Sequence, residues 1–396
     1  MKKSIKFPLL IQVLQETALH NPDKKAYSLV HFMSRSGDIA ETTLNFRQLD
    51  EQARAVAGFL QKTLKPGDRA LLFFPAGLEF IYAFYGCLYS GVIAIPAPPP
   101  YPAQLQSSLL RLKTIIDDAR PGVILTETSL MSMTGKIFQH APELNDLQWI
   151  DVKKIDTGTA SLWREPEITP ATIAFLQYTS GSTSDPKGVM VSHGNLLQNS
   201  RNLHYTFCYT PDSRLLVWMP NFHDYGLIEG ILQPAFQGIP AYIMSQWSFI
   251  QNPARWLQAI SKFRITHSSG PNFAYDLCCA KVRESDCTDL DLSSWQTAGN
   301  GAEPIRPETI EKFTEKFRPF GFRRDTFFPA YGLAECTLVV SGHKEEPGEA
   351  AFCFVDKNSL EREQKIKVEG RKKKQLIKEV LNFNFENVSK VRNVLK

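Results

Sequence analysis

The sequence lacks the usual features of disulfide-rich, membrane-spanning and nucleic-acid-binding proteins. Its seven cysteines among 396 residues are scattered and form no C-x-x-C pair, which argues against a zinc knuckle and a disulfide framework. No stretch reaches the roughly 18 apolar residues that a membrane-spanning helix needs. The formal net charge is only +4, so composition gives no support for a nucleic-acid partner. These absences predict a protein of the reducing cytoplasm without a transmembrane segment.

The amino terminus also lacks the pattern of a secretion signal. Basic residues precede a short apolar run, but Gln12, Gln15 and Glu16 interrupt it and no small-residue cleavage site follows. No internal repeat of fixed period is present, which argues against a solenoid. We therefore expect a mature cytoplasmic start and a globular protein.

Alternating strand-like and helix-like segments predict an α/β fold. Residues 46–60 place apolar groups at helical spacing, residues 70–75 are a short apolar run typical of a buried strand, and residues 79–91 are again helical. Further strand-like runs occur at 122–127, 172–180, 214–220 and 241–246. This alternation is typical of layered parallel or mixed sheets flanked by helices. A chain of this length exceeds one hydrophobic core, so we expect two or three packed subdomains.

Positive charge is concentrated near the end of the sequence. Residues 361–396 carry a net charge of +6, which leaves the preceding 360 residues at about −2. Apolar residues within this tail permit an amphipathic helix, and a solvated helix or frayed end is favoured over membrane or nucleic-acid binding. We predict a main domain at 1–360, with sheet subdomains at approximately 1–170 and 171–360, and a separate basic tail at 361–396.

A loop rich in hydroxyl groups and glycine is the strongest candidate for a phosphate site. Residues 178–195 read YTSGSTSDPKGVMVSHGN and follow a predicted strand. Small residues leave backbone N–H groups accessible to phosphate oxygens, and Lys187 adds a positive charge. The spacing differs from that of a Walker A loop, because Lys187 precedes Gly188. Taken as composition alone, such a run is also compatible with a flexible surface loop.

The complete string YTSGSTSDPKGV followed by SHGN resembles the signature loop of the acyl-adenylate-forming, or AMP-binding, superfamily. Three more motifs resemble those of this family, in the same order: WMPNFHDYGLI, GNGAEPI and AYGLAECTL, at 218–228, 299–305 and 330–338. Together with PAPPPYP at 96–102, they are most similar to fatty acyl-AMP ligases. The resemblance covers residues 1 to about 360. It implies the large N-terminal domain of these enzymes, with layered sheets, flanking helices and an accessory β-barrel.

The resemblance also implies roles for individual residues. Those that would hold the β- and γ-phosphates of ATP are Thr179, Ser180, Gly181, Ser182, Thr183, Ser184 and Lys187. Those that would frame the adenine are Ala302, Glu303, Ala330 and Tyr331. Glu335 would bind Mg²⁺, which prefers carboxylate oxygen, and the alternative for it is a helix cap. The implied catalytic residues are Lys187, His223 and Glu335; structural roles remain the alternative for His223 and its neighbour Asp224.

The implied reaction joins a fatty acid to ATP, forming acyl-adenylate and pyrophosphate, and passes the acyl group to acyl carrier protein. A fatty carboxylate, with a pKa of about 4 to 5, is already ionised at neutral pH, so the reaction needs positioning and electrostatics rather than a general base. Two alternatives remain open. One is a long-chain acyl-CoA ligase, and the other is a catalytically dead module that binds nucleotide or an acyl group.

The sequence departs from the family after the YGLAE segment. Family members ordinarily continue with a T-G-D element that binds ribose, a hinge, and a C-terminal lobe with a catalytic lysine, and none of these is found. The lysines of the basic tail fit no such motif. We therefore expect a truncated or frame-shifted chain with impaired activity, and a deliberately shortened chain is the second interpretation.

Overall fold

The computed structural model describes residues 9–33, 38–99, 105–179, 187–342, 354–355 and 368–369. The chain divides into two compact units, Met1–Gly348 and Glu349–Lys396. The α-helices of the described residues are α1 (Leu10–His20), α2 (Phe46–Leu60), α3 (Leu78–Ser90), α4 (Leu105–Ala119), α5 (Thr128–Met131), α6 (Thr134–His140), α7 (His193–Thr206), α8 (Gln233–Gln237), α9 (Gln246–Gln251), α10 (Ala254–Phe263), α11 (Asn272–Lys281) and α12 (Pro307–Phe317).

Short 3-10 helices connect several of these elements, and one segment, Tyr225–Leu232, is a π-helix. The 3-10 helices are Pro142–Asp146, Val152–Lys154, Thr157–Leu162, Glu284–Cys287, Arg318–Phe320, Arg324–Thr326 and Ala334–Cys336. The strands are β1 (Lys25–Phe32), β2 (Ile39–Asn45), β3 (Arg69–Phe73), β4 (Ile93–Ala97), β5 (Val123–Thr126), β6 (Gln148–Asp151), β7 (Ile173–Thr179), β8 (Lys187–Ser192), β9 (Leu215–Val217), β10 (Ala241–Ile243), β11 (His267–Gly270), β12 (Thr297–Asn300), β13 (Phe327–Gly332), β14 (Val339–Gly342), β15 (Phe354–Val355) and β16 (Val368–Glu369).

Two large mixed sheets organise the first unit. One has eight strands in the order β14-β13-β12-β11-β9-β10-β1-β2, and the other has six in the order β6-β5-β3-β4-β7-β8. Most neighbours are parallel, but the pairs β1–β2, β13–β14 and β7–β8 are antiparallel. The second unit contains one antiparallel pair, β15 with β16.

Helix α3 lies between the two sheets. It contacts β3, β4 and β5 of the six-stranded sheet and β1 of the eight-stranded sheet. Nearly all of its residues are buried, so it is apolar around its whole circumference rather than along one stripe. Helix α2 packs on α3 and begins with a capping box. The Asn45 side chain accepts from the Gln48 backbone N–H, and the Gln48 side chain accepts from the Asn45 backbone N–H. This layer of helices fixes the spacing between the sheets.

The predicted α/β class with mixed sheets and flanking helices is confirmed. The helix at 46–60 has the predicted bounds, and each strand-like run contains a strand, because local apolar periodicity decides both. In the described residues the strand order of neither large sheet closes on itself, so the accessory β-barrel stays a prediction. Each sheet takes strands from both sides of residue 170, so the sheets are not divided there, and the domain boundaries remain a prediction. The tail at 361–396, apart from 368–369, lies outside the described residues.

Five of the described cysteines are free thiols: Cys87, Cys278, Cys279, Cys287 and Cys336. Burial raises the pKa of Cys279 to about 11 and also raises that of Cys336, so these thiols are poor nucleophiles at neutral pH. Among the described residues, none of the helices has both the length and the apolar character needed to cross a membrane.

Candidate active site

A cavity of about 390 Å³ lies where separate parts of the chain meet in the first unit. One wall is Thr179, at the end of β7, and another is the segment 223–225. The rest of the lining comes from residues 301–302, after β12, from the segment 330–335 with Leu338 and Val339, and from Leu203 of α7 with Phe207 just after that helix. Because β11, β12 and β13 are parallel neighbours, the segments that leave their carboxyl ends meet at one edge. This edge is where open α/β sheets bind ligands.

The turn between β13 and β14 carries Glu335. The Leu333 N–H donates to the Leu338 carbonyl at 2.9 Å, which closes the turn, and Ala334–Cys336 form a single 3-10 turn within it. Thr337 has φ +72° and ψ −61°, and the Leu338 N–H donates to the Cys336 carbonyl at 2.9 Å. That geometry is a γ-turn of the strained kind, which is rare for a residue with a side chain. The hairpin holds Thr337 in this strained conformation. Glu335, in the same turn, is exposed at the cavity wall.

Ala302 and Ala330 line the same cavity because they follow neighbouring strands. β12 and β13 pair in parallel with Asn300 opposite Pro329, so the chain segments beyond them lie side by side. Ala302 is exposed and has φ +67°, a conformation that costs a non-glycine residue energy and is concentrated at functional sites. Tyr331, next along β13, keeps 60% of its surface exposed. An exposed ring at a cavity wall is available for a flat ligand.

Thr179 and Lys187 hold the two ends of the hydroxyl-rich loop. They are cross-strand partners in the antiparallel pair of β7 and β8. Thr179 lines the cavity, whereas Lys187 is exposed opposite it and is not among the cavity-lining residues. The residues of the predicted phosphate loop that lie outside the described residues are Ser180, Gly181, Ser182, Thr183 and Ser184. The SHGN motif that follows is a capping box, since Ser192 and Asn195 pair reciprocally at the start of α7.

His223 and Asp224 form a hydrogen-bonded pair at the cavity. His223 Nδ1 lies 2.7 Å from Asp224 Oδ1 and 3.2 Å from the backbone nitrogen of Tyr225. The Tyr225 backbone nitrogen also lies 2.7 Å from Asp224 Oδ1, to which its N–H donates. One ring nitrogen cannot both donate to the carboxylate and accept from the N–H, so the shorter distances assign Nδ1–H as a donor to Asp224. The His223 side chain is 53% exposed. Its Nε2 is then the ring nitrogen available to a ligand.

Buried amides anchor the segment that carries this pair. Gln177, on β7, donates from Nε2 to the Phe222 carbonyl at 2.8 Å, and Asn221 donates from Nδ2 to the Pro75 carbonyl at 3.2 Å. Both amides are buried, where a lost hydrogen bond is costly. They therefore hold His223 beside the end of β7 and its Thr179.

The Glu303 carboxylate contacts the first turn of α11. Its carboxylate accepts from the Phe273 backbone N–H at 2.6 Å, near the start of α11, and it is not among the residues that line the cavity. Its predicted contact with adenine therefore stays a prediction, while its observed contact stabilises a helix start. Of the apolar residues near the motifs, Leu227, Ile228 and Tyr275 are fully buried in the core.

The sequence motifs did not identify the apolar floor of the cavity. Leu203 lies on α7 and Phe207 directly follows that helix, four positions along the chain. Phe207 packs against Phe328 with ring centroids 4.7 Å apart. Leu338 and Val339, at the start of β14, complete this floor, Leu338 directly preceding the strand. The helical spacing of Leu203 and Phe207 was a detectable signal of a buried face, but it does not distinguish a cavity wall from ordinary core packing.

The donor groups at the cavity are compatible with Mg²⁺ bound together with a nucleotide. Glu335 is exposed and makes no ion pair with another described residue. In the part of the chain that the structure describes, no three His, Cys, Asp or Glu side chains converge as a metal cage. Mg²⁺ commonly uses one or two carboxylates and takes its other ligands from water and substrate phosphates. A single carboxylate therefore fits this ion, with Glu335 as the residue that would hold it.

The fold and the cavity define an α/β protein with a cavity at the carboxyl ends of parallel strands, the position where open α/β sheets bind ligands. The model of the AMP-binding enzyme family matches residues 14–358, so the chain belongs to that family. The family resemblance stated from the sequence is confirmed.

Similar proteins are also found among characterised ligases and solved structures. The chain is 46% identical over 377 residues to the medium-chain-fatty-acid–[acyl-carrier-protein] ligase JamA of Moorena producens, a match that covers 95% of this chain and 63% of that relative. It is 32% identical to the ligase TtuA of Teredinibacter turnerae, which bears the same description, over 85% of this chain and 57% of that relative.

A solved structure of a fatty acyl-adenylate ligase from L. pneumophila, in complex with acyl adenylate and pyrophosphate, has a similar fold. The TM-score is 0.80 at 43% sequence identity, over 86% of this chain and 58% of that one. The chain thus spans about three fifths of the length of these relatives.

Proposed function

We propose that the protein activates a fatty acid with ATP, forming acyl-adenylate and pyrophosphate, and that the acyl group passes to acyl carrier protein. The observation that carries this proposal is the convergence of Thr179, His223, Ala302, Tyr331 and Glu335 on one cavity. These residues belong to four motifs that are far apart in the sequence. The names of JamA and TtuA and the ligands of the L. pneumophila structure support the same reaction.

The residues of the cavity would act by position and charge. Tyr331 offers a flat apolar face to the adenine, and the Thr179 hydroxyl and the Lys187 ammonium would contact the polyphosphate. His223 Nε2 would contact the phosphate or the fatty carboxylate. Mg²⁺, bound with ATP, would supply positive charge to offset the charge that develops on the phosphates. The fatty carboxylate arrives ionised, so none of these residues is required to remove a proton.

Acyl carrier protein is proposed as the acceptor, and coenzyme A is the second candidate. The carrier protein is favoured by the two relatives named as carrier-protein ligases. Coenzyme A is favoured by relatives from Mycobacterium named as putative fatty-acid–CoA ligases, at 35% identity. Acyl transfer from preformed acyl-adenylate should be measured with each acceptor at equal concentration. Faster transfer to coenzyme A would replace the proposed acceptor.

Fatty-acid-dependent exchange of pyrophosphate into ATP tests the adenylation step itself. The proposal expects exchange that requires both the fatty acid and Mg²⁺. A dead binding module would instead bind ATP, detectable by calorimetry, without any exchange. That result with this chain would overturn the proposed activity for it.

The Lys187→Ala variant should lose at least about tenfold in pyrophosphate exchange, or about 1.4 kcal/mol of transition-state stabilisation. The reason is the loss of a positive charge at the end of the hydroxyl-rich loop, opposite Thr179. Lys312→Ala, at an exposed position on α12, is the matched control and should leave exchange unchanged. Equal effects of the two substitutions would show that Lys187 has no specific role.

The Tyr331→Ala variant should bind AMP about tenfold more weakly, because stacking of a base on an aromatic ring contributes roughly 1–3 kcal/mol. Tyr331→Phe keeps the ring and should bind AMP as the wild type does. Calorimetric titration with AMP measures both affinities. Weaker binding by the Phe variant as well would assign the effect to the hydroxyl rather than to the ring.

A cytoplasmic location and the fatty acid and carrier-protein partners belong to this proposal. The free thiols of Cys87, Cys278, Cys279, Cys287 and Cys336 support the location, since disulfides are rare in the reducing cytosol. The absence of a nucleic-acid partner stays a prediction from the low net charge.

A further inference from the structure

The π-helix Tyr225–Leu232 begins at the cavity and runs into the core. Tyr225, its first residue, and Asp224, which precedes it, both line the cavity. All of its residues are buried, including Glu229. π-helices are rare and are often found at functional sites. A buried acid in such a helix, one turn from the cavity wall, has no role in the reaction proposed above.

Glu229 is tied to the neighbouring sheet by one hydrogen bond. Its Oε1 accepts from Ser269 Oγ, on β11, at 2.6 Å, and only 2% of the residue is exposed. Gly299, on the adjacent strand β12, marks how closely the groups approach. A Cβ at Gly299 would lie 2.3 Å from Ser269 Oγ and 3.0 Å from Tyr225 Oη. Glu229, Ser269 and Tyr225 therefore meet at one point behind the cavity wall.

Among the described residues, the titratable groups that face Glu229 from the surrounding elements are phenols rather than cations. Tyr209, Tyr225 and Tyr275 all interact electrostatically with its carboxyl, and each has a raised pKa because of burial. His267, on the same strand as Ser269, stacks on Tyr209 with ring centroids 4.4 Å apart. Burial raises the pKa of Glu229 to about 8, against the smaller opposing effect of the Ser269 hydrogen bond.

We propose that Glu229 is a positioning residue for the nucleotide cavity, whose neutral carboxyl holds the π-helix against Ser269 and keeps Tyr225 and Asp224 in the cavity wall. This inference rests on the proposed function and adds a pH-dependent control to the same site. When the carboxyl ionises, a charge without a cation partner is left among buried phenols, which favours hydration and displacement of the helix. Nucleotide binding then weakens at alkaline pH.

The sign of the pH effect follows from the direction of the shift. The pKa of Glu229 is higher in the folded protein, at about 8, than its ordinary value of 4.5. The neutral carboxyl therefore favours the folded state. Its contribution is fully present below about 4.5 and is lost as the pH rises through about 8. Because AMP binding is proposed to require the π-helix in its place, AMP affinity should fall over the same pH range.

The test compares AMP affinity between pH 7 and 9.5 by calorimetry, with the Tm measured at each pH. Between these two pH values we expect the AMP affinity of the wild type to fall about tenfold relative to that of Glu229→Gln. A fall of this size corresponds to a difference of about one unit between the pKa of Glu229 in the AMP-bound and in the free protein. Glu229→Gln should keep the Ser269 hydrogen bond, match the wild type at pH 7, and bind equally at both ends of the range. Glu315→Gln, an exposed acid on α12, is the control and should retain the wild-type loss.

Ser269→Ala gives an independent signature. Its hydroxyl favours the charged carboxylate, so its removal should raise the pKa of Glu229 and move the alkaline loss to higher pH. A merely structural role would lower affinity at every pH without moving the midpoint. If Glu229→Gln fails to fold, this direction of shift decides the question alone. An unmoved midpoint, or an alkaline loss that persists in Glu229→Gln, overturns the inference.

Pyrophosphate exchange measured in parallel at pH 7 separates this inference from the proposed function. If the wild type shows exchange while AMP affinity depends on pH in the same way in all variants, the positioning role is overturned and the proposed function stands. Absence of exchange with the expected differences in AMP affinity would overturn the function and support the positioning role.

Discussion

Glu335→Gln is expected to weaken binding of ATP in the presence of Mg²⁺ by at least about tenfold, or about 1.4 kcal/mol. The carboxylate is exposed at the cavity wall and makes no ion pair with another described residue, so its charge is available to a cation. The amide keeps the size of the side chain but removes that charge, and Mg²⁺ prefers carboxylate oxygen. Calorimetric titration with ATP, with and without Mg²⁺, measures the change, and pyrophosphate exchange should fall by at least the same factor.

The selectivity of this loss distinguishes a metal-binding role from a general defect. Binding of AMP without Mg²⁺ should stay within about twofold of the wild type, because adenine contacts are unchanged. Glu315→Gln, which removes the same charge from an exposed site on α12, should alter neither titration. If Glu335→Gln weakens AMP and ATP equally, the carboxylate supports the turn rather than the ion.

Gly332→Ala is expected to destabilise the protein by roughly 2–4 kcal/mol and to weaken binding of ATP with Mg²⁺ as severely as Glu335→Gln. A Cβ at this position would lie 2.2 Å from the Leu338 carbonyl oxygen, a backbone atom that cannot move without opening the turn. The hydrogen bond from Leu333 to Leu338 would be lost, and with it the placement of Glu335. Urea denaturation measures the free energy of unfolding, and calorimetry measures the affinity.

Gly135→Ala is the matched substitution for that experiment. Gly135 lies in α6, and a Cβ there would have no neighbour within 4 Å. Since alanine is the better helix former by about 1 kcal/mol, this variant should be neutral or slightly more stable. A Gly332→Ala protein with unchanged stability and unchanged affinity for ATP would show that the turn can adjust and that the placement of Glu335 does not depend on it.

The sequence predicted only part of the candidate site. The motifs identified Thr179, His223, Ala302, Tyr331 and Glu335 as members of one site, because each motif is a contiguous string that can be compared directly. Apolar wall residues such as Leu203 and Phe207 were not identified, since their helical spacing is equally typical of core packing. Glu303 shows the opposite difficulty. Its motif predicts an adenine contact, and no sequence pattern predicted the hydrogen bond that its side chain accepts from the Phe273 N–H of α11.

The sequence by itself determined the α/β class, the bounds of α2, the strand-like runs and the family, because these follow from local periodicity and contiguous motifs. Only the tertiary structure decided that β1 pairs with β10, more than 200 residues later, and that Thr179 and Glu335 share a cavity. It also decided the burial of Glu229 beside Ser269, and thus its raised pKa. Strand order, burial and pKa depend on neighbours that packing brings together from distant parts of the chain, and no local pattern encodes them.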